Sequence, residues 1–203
     1  EIKNIEVNVN NKRKWTKNIL RLSEDENELI LRKYKKNFKS KILVNFKNGS
    51  SCRFDSKIRI HGDFKDHMIW TSGNPTNSLS VELINGHILN ITNFKLFLPK
   101  SRNEDNEIFT ANFLKHLGYI SPRTFYLDVF FNGSYKKFIF QEDLRKEMLE
   151  NLNRKHGLIL EGDERFLFGE NNYISNNLQL SRAANSKSWI KKSPQNALIA
   201  AQI

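Results

Sequence analysis

The sequence predicts an α+β fold, a mainly antiparallel sheet with helices packed on it. Three observations predict it. Apolar and polar residues alternate around three Asn-Gly pairs, at 48–49, 85–86 and 132–133, and this dipeptide favours tight hairpins. Phe109, Phe113 and Leu117 recur every four residues, the spacing of one helix face. Between them, the stretch from Phe94 to Glu142 reads strand, helix, strand, turn, strand, then a polar link into another helix.

Residues 1–40 are polar and weakly patterned, and only Leu20, Leu22, Leu29, Ile30 and Leu31 hint at short structure. They are read as an N-terminal segment ahead of a single domain spanning 41–203. Strands are expected over Ile42–Phe46, Ser51–Phe54 and Lys57–Ile60, the last leading into His61-Gly62-Asp63. Residues 65–78, with Gly73, Asn74 and Pro75, read as loop. Leu79–Ile84 alternates again, Asn85-Gly86 turns it into Ile88–Ile91, and Phe94–Leu98 follows, stopped by Pro99. Ser101 and Glu104 match a capping box for a helix over 104–117, with Gly118 as its stop. Thr124–Phe131 and Tyr135–Phe140 form a further hairpin. A second helix is expected over Glu142–His156, where Leu144, Met148, Leu149 and Leu152 share a face. Leu158–Leu160 reads as a short buried strand, and the Asn- and Ser-rich stretch beyond Glu170 as loop.

The 203 residues are 38% hydrophobic and 27% charged, which fits a globular domain. No apolar run approaches the length of a membrane-spanning helix. The chain opens Glu-Ile-Lys without Met and reads as a piece of a longer protein, so a missing signal says nothing of the parent's location. The net charge of +11 suits nucleic acid, an anionic membrane surface or phosphorylated ligands. The abundance of Lys, Asn and Ile favours a compositional origin instead, and argues against nucleic acid as the partner. The basic run Arg32–Lys41 reads as a solvated, amphipathic edge. The single cysteine, Cys52, excludes an internal disulfide framework and a multi-cysteine metal site. Asn48, Asn90 and Asn132 match the glycosylation pattern, but two of them are explained as hairpin turns.

Lys95 on its strand and Glu107 near the start of the next helix carry the chemical interest. Phosphoryl transfer needs a lysine on the nucleotide phosphates, and kinases orient that lysine with a helix glutamate. Glu107 has Ala111 and Leu114 on its side of the helix, which places it at the edge of an inward face. The bland alternative is that both are surface charges. Glu142 ends a strand and opens the next helix, where a kinase-type lobe has its hinge. It is equally suited to compensate a helix dipole. His61-Gly62-Asp63 has one glycine, a weak signal for a phosphate loop. His61, Asp63, Asp66 and His67 read as a polar loop rather than a metal site, because no matched ligand spacing is present.

Across residues 57–168 the chain resembles the CotH (spore-coat protein H-like) family of atypical, protein-kinase-like proteins. The resemblance is carried by IRIHGDFKDH, SLSVEL, FKLFLPKSR, NEIFTANFLKHLGYISPRTFYLDVFFNG, FIFQED and MLENLNRKHGLILEGDE, in that order. It implies a kinase-like fold, with the chain stopping after the nucleotide lobe and the start of a second lobe. Some members phosphorylate protein substrates using ATP and a divalent metal, Mg or Mn. Others have no demonstrated activity, and many are surface-associated or exported. Carried over by position, the resemblance puts Lys95 or Arg102 near phosphate, Glu107 as the helix acid and Glu142 at the hinge. Ser80 stands where the family often has a basic residue. The family's catalytic and metal-binding aspartates lie farther C-terminal, and Asp163 is a poor substitute. No catalytic residue is therefore expected here, and this piece alone is expected to transfer no phosphate. The rival reading is a noncatalytic surface or envelope module that binds an anionic polymer.

Overall fold

Seven strands close on themselves in a barrel. The computed structural model describes residues 1–71, 74–162 and 181–183, together with Gln195. The chain forms two compact units, Glu1–Asp143 and Leu144–Ile203. In order, the first contains β1 (Ile2–Val9), α1 (Lys12–Ser23), β2 (Phe38–Phe46), β3 (Ser51–Ile60), β4 (Met68–Thr71), β5 (Asn74–Asn77), β6 (Leu79–Leu83), β7 (Asn93–Phe97), α2 (Asp105–His116), β8 (Thr124–Phe131) and β9 (Ser134–Glu142). The second contains α3 (Lys146–Asn151), β10 (Leu160–Gly162) and β11 (Ser181–Ala183), with β10 and β11 antiparallel.

The barrel order is β1-β2-β3-β6-β7-β9-β8, and β8 returns to pair with β1. That closing pair is parallel, whereas every other neighbouring pair is antiparallel. Successive side chains alternate across a strand, so one parity faces inward. Ile5, Val7, Ile42, Val44, Ile58, Ile60, Val81, Phe94, Leu96, Val129, Phe138 and Phe140 are buried on it. Phe140 stacks between Phe94 and Phe125 at centroid distances of 4.7 and 4.8 Å.

A protein-kinase-like α+β fold with packed helices is therefore corrected to a mostly closed-barrel fold, in which α1, α2 and α3 are short. The physical reason lies in residues 1–40. The polar-looking start is β1, which buries Ile5, Val7 and Val9 and pairs with both β2 and β8. Once the sheet closes, its own side chains fill the interior and no helix layer is needed to cover it. The same segment supplies α1, whose Trp15, Ile19 and Leu22 join the core. Trp15 sits 5.1 Å from Phe38 and 5.6 Å from Phe131, ring to ring, against the start of β2 and the end of β8.

Other expectations shift locally. Residues 65–78 hold the β4–β5 hairpin rather than plain loop. Ser51–Ile60 is one strand, not two. Ile88 and Ile91 exchange backbone hydrogen bonds across a two-residue turn, with Leu89 and Asn90 at φ 52° and 63°. The capping box at Ser101 and Glu104 does not form. Ser101 donates to the Leu98 carbonyl, Asn103 is left-handed, and Glu104 enters α2 at a positive φ of 53°. Glu142 belongs to β9, and the following helix is confined to Lys146–Asn151. The expected strand Leu158–Leu160 is placed later, at Leu160–Gly162, and most of the stretch beyond Glu170 lies outside the described residues.

Candidate functional site

Strand register lines up one polar row on the outer face of the barrel. Arg59 is opposite Ser80, Ser80 opposite Lys95, Lys95 opposite Gln141, and Gln141 opposite Thr124. Their inward neighbours Ile58, Val81, Phe94 and Phe140 are core residues, so parity alone turns this row outward. Lys95 Nζ lies 3.3 Å from Asp143 Oδ1, with the two side chains 20% and 26% exposed. Gln141 Nε2 donates to Glu107 Oε1 at 2.6 Å and to Thr124 Oγ1 at 3.4 Å.

Two histidines border the row. His61, just past β3, has Nδ1 2.9 Å from Ser80 Oγ, and its ring stands edge-on to Phe97 at 5.0 Å. His67 has Nδ1 2.9 Å from Ser78 Oγ, which also accepts the Leu98 amide at 3.0 Å. The Arg102 guanidinium lies 4.2 Å over the Phe97 ring. Its Nε is buried and has no hydrogen-bond partner among the described residues.

The charges converge on His61. Burial pushes its pKa down to about 2, and the positive charges of Lys95, His67, Arg102 and Arg59 push the same way. Burial also lowers His67, with Arg102 and Lys35 adding to the effect against Asp66 and Asp63. A neutral His61 therefore sits among Arg59, Lys95 and Arg102. Partly buried cationic groups gain from an anion that satisfies their donors.

The four residues named from sequence separate into two places. Lys95, Arg102 and Glu107 all border the outer face, but Glu107 accepts from Gln141 rather than from either cation. Lys95 takes Asp143 as its partner instead. Glu142 has the opposite parity. It is 3% exposed and forked by Arg123, with Nε to Oε2 at 2.8 Å and Nη2 to Oε1 at 3.0 Å. Gly62 is not a phosphate cradle. At φ 108° a Cβ there would come within 2.1 Å of His67 Cδ2, so the imidazole already fills the space. Asp63 is committed to Lys35 at 2.5 Å.

Arg59, Gln141 and Asp143 were missed from sequence, and Ser80 was noted only as standing where the resembled family often has a basic residue. Lys95 was the available signal, but the strand order is needed to find its cross-strand neighbours. Two open clefts, of about 350 and 340 Å³, are lined by other residues, among them Arg21, Asp25 and Lys33 in one and Glu6, Lys41 and Arg53 in the other.

Arg102 has a buried Nε without a partner among the described residues and Lys95 is partly exposed next to Asp143, so both are cationic donors of the type that a phosphate group takes. Among the described residues no group of three or more His, Cys, Asp or Glu side chains is placed to hold a metal ion. No helix among the described residues is long and apolar enough to cross a membrane. Compared with known proteins, the chain matches no family model, and no curated protein is significantly similar to it.

Proposed function

We propose that this chain binds a phosphate-bearing ligand on the outer barrel face, with ATP the nucleotide that its sequence resemblance implies. One observation carries the reading. Arg59, Lys95 and Arg102 surround an uncharged imidazole, and Arg102 keeps a buried Nε without a partner. Lys95 would exchange part of its contact with Asp143 for a phosphate oxygen. Arg102, held flat by Phe97, would offer its guanidinium edge with little ordering cost. Glu107 and Gln141 position the floor of the row and need not touch the ligand. In a longer protein this site would serve phosphorylation of a protein substrate, with Mg or Mn arriving with the nucleotide. No step of that transfer is assigned to the described residues.

The test is calorimetric titration of the full 203-residue chain with ATP, inorganic triphosphate and adenosine at low salt. ATP and triphosphate should bind and adenosine should not. Lys95→Met and Arg102→Gln should each weaken ATP binding by about tenfold or more, the usual weight of a charge-assisted hydrogen bond. Absence of ATP and triphosphate binding at millimolar concentration overturns the reading.

One observation favours the anionic-polymer alternative. Lys39 stands directly opposite Lys57 on the outer face of β2 and β3, with Arg53 and Lys41 on the same face. Lys57 is paired with Glu82 at 3.5 Å, so Lys39 carries the excess charge of this pair that an anion would neutralise. Binding of long polyphosphate that survives Lys95→Met but falls with Lys39→Gln and Lys57→Gln would assign the polymer to that face.

A further inference from the structure

Helix α2 packs by one side only. Ala111 is buried and its carbonyl accepts from Ser121 Oγ at 2.8 Å, while every residue from 112 to 120 is exposed. That exposed run includes Phe113, Leu114, Leu117, Tyr119 and Ile120. One turn earlier Phe109 is 68% exposed, and its ring stacks on Phe113 at 5.8 Å with the planes only 8° apart. An apolar patch of this size on a strongly charged chain marks an interaction surface.

The charges around the patch indicate what covers it. At helical spacing Asp105, Phe109, Phe113 and His116 share a face, at i, i+4, i+8 and i+11. The stripe reads acid, ring, ring, base. Turned end for end, the stripe complements itself. Phe109 meets the second copy's Phe113, and the acidic start of each helix meets the basic end of the other. Antiparallel helix dipoles favour the same arrangement. A two-fold pair of identical patches requires this kind of self-complementarity.

We propose that α2 is a homodimer interface, in which two copies pair their helices antiparallel through Phe109 and Phe113. Asp105 of each copy faces His116 of the other. The bond that Asp105 accepts from Tyr126 at 2.8 Å leaves it further acceptor capacity. The outer row around Lys95 lies on the sheet, so pairing through α2 does not depend on ligand binding there.

Sedimentation equilibrium of the full chain, from micromolar to several hundred micromolar, tests this directly. A reversible monomer–dimer equilibrium is expected. Phe113→Asp should shift its midpoint at least tenfold toward monomer, with an unchanged circular dichroism spectrum. Asp105→Lys and His116→Glu should each weaken self-association, because like charges then face each other. Mixed together, those two variants should restore a dimer, since each mismatch becomes an attractive pair. Tyr126→Phe, which removes only the internal bond to Asp105, should leave dimerisation as it was. A chain monomeric throughout the range overturns the proposal. So does a dimer indifferent to Phe113→Asp, or a mixture of the charge variants that fails to associate.

Discussion

Glu142 and His61 show how a residue's surroundings decide its role. Glu142 ends a strand, and its sequence position suited a ligand-facing hinge. The fork with Arg123 instead makes it a structural anion, and Arg123 also donates to the Leu89 carbonyl at 2.7 Å. Removing one member of a buried pair strands the other. Arg123 retains some access to water, so the cost should stay moderate. Glu142→Gln should lower unfolding free energy by about 2 kcal/mol in urea titration, yet leave the ATP dissociation constant within about twofold. A large loss of affinity without a loss of stability would return Glu142 to the ligand site. His61 and His67 give a pH signature. Their folded pKa values lie below the unfolded value near 6.5, so below that pH the unfolded chain takes up protons that the folded chain refuses. Stability should be flat above about pH 6.5 and fall as pH drops, with a limiting slope of about 1.4 kcal/mol per unit for each histidine. Asp25 acts with the same sign in a lower window. Its bonds from Lys33, Tyr34 and Asn27 depress its pKa, so its contribution is present above about pH 4 and lost below. The window from pH 4.5 to 6.5 thus belongs mainly to the histidines, and His61→Gln should make it shallower in thermal melts, leaving the share of His67. An unchanged slope in that variant would remove His61 as the cause.

At the scale of elements, local patterns were legible and their partners were not. Thr124–Phe131 and the Asn132-Gly133 turn could be read from alternation, because φ values of 52° and 95° are those a tight primed turn demands. The sequence did not reveal that Asn132 also clamps β1. Its side-chain oxygen accepts the Val9 amide at 2.9 Å, and its own amide donates to the Val7 carbonyl at 2.8 Å. Asn132→Ala should therefore cost about 1–3 kcal/mol in urea unfolding, from the strained turn and the lost clamp together. Asn132→Gly keeps the turn and should cost less, so its own cost measures the side-chain clamp and the difference between the two variants measures the turn strain. A glycine variant as stable as the parent would show that the side chain holds nothing. For α2, periodicity identified a helix and a shared face, but could not say that Phe109, Phe113 and Leu117 face away from the sheet. In α1 the buried stripe runs through Trp15, Ile19 and Leu22, whereas Leu20 is exposed. A reading weighted toward leucines misses that stripe. The candidate site follows the same rule. Lys95, Arg102 and Glu107 could be named one by one, but Ser80, Gln141 and Arg59 join them only through cross-strand register.

For the whole molecule, closure depends on the first nine residues. β1 is hydrogen-bonded on both sides, antiparallel to β2 and parallel to β8, and no local sequence feature announces a parallel partner more than a hundred residues away. An open sheet could lose an N-terminal strand and keep its core. A closed barrel cannot, because removal leaves β2 and β8 as raw edges and uncovers the interior at Ile42, Val44, Leu127 and Val129. Glu6 separates these cases without touching the core, since it faces outward between Leu43 and Phe130. Glu6→Pro removes a ladder donor and forces the strand apart, for a cost of about 2–4 kcal/mol. Glu6→Thr keeps the donor and should be nearly neutral. Loss of β1 pairing should also release α1 and shift Trp15 fluorescence in the same transition, because Trp15 is buried against Phe38 and Phe131. Deleting residues 1–10 should carry this further, giving a chain without a cooperative urea transition and prone to aggregate through its exposed edges. A truncated chain that unfolds cooperatively at the parent's urea midpoint would show that the barrel does not need its parallel seam.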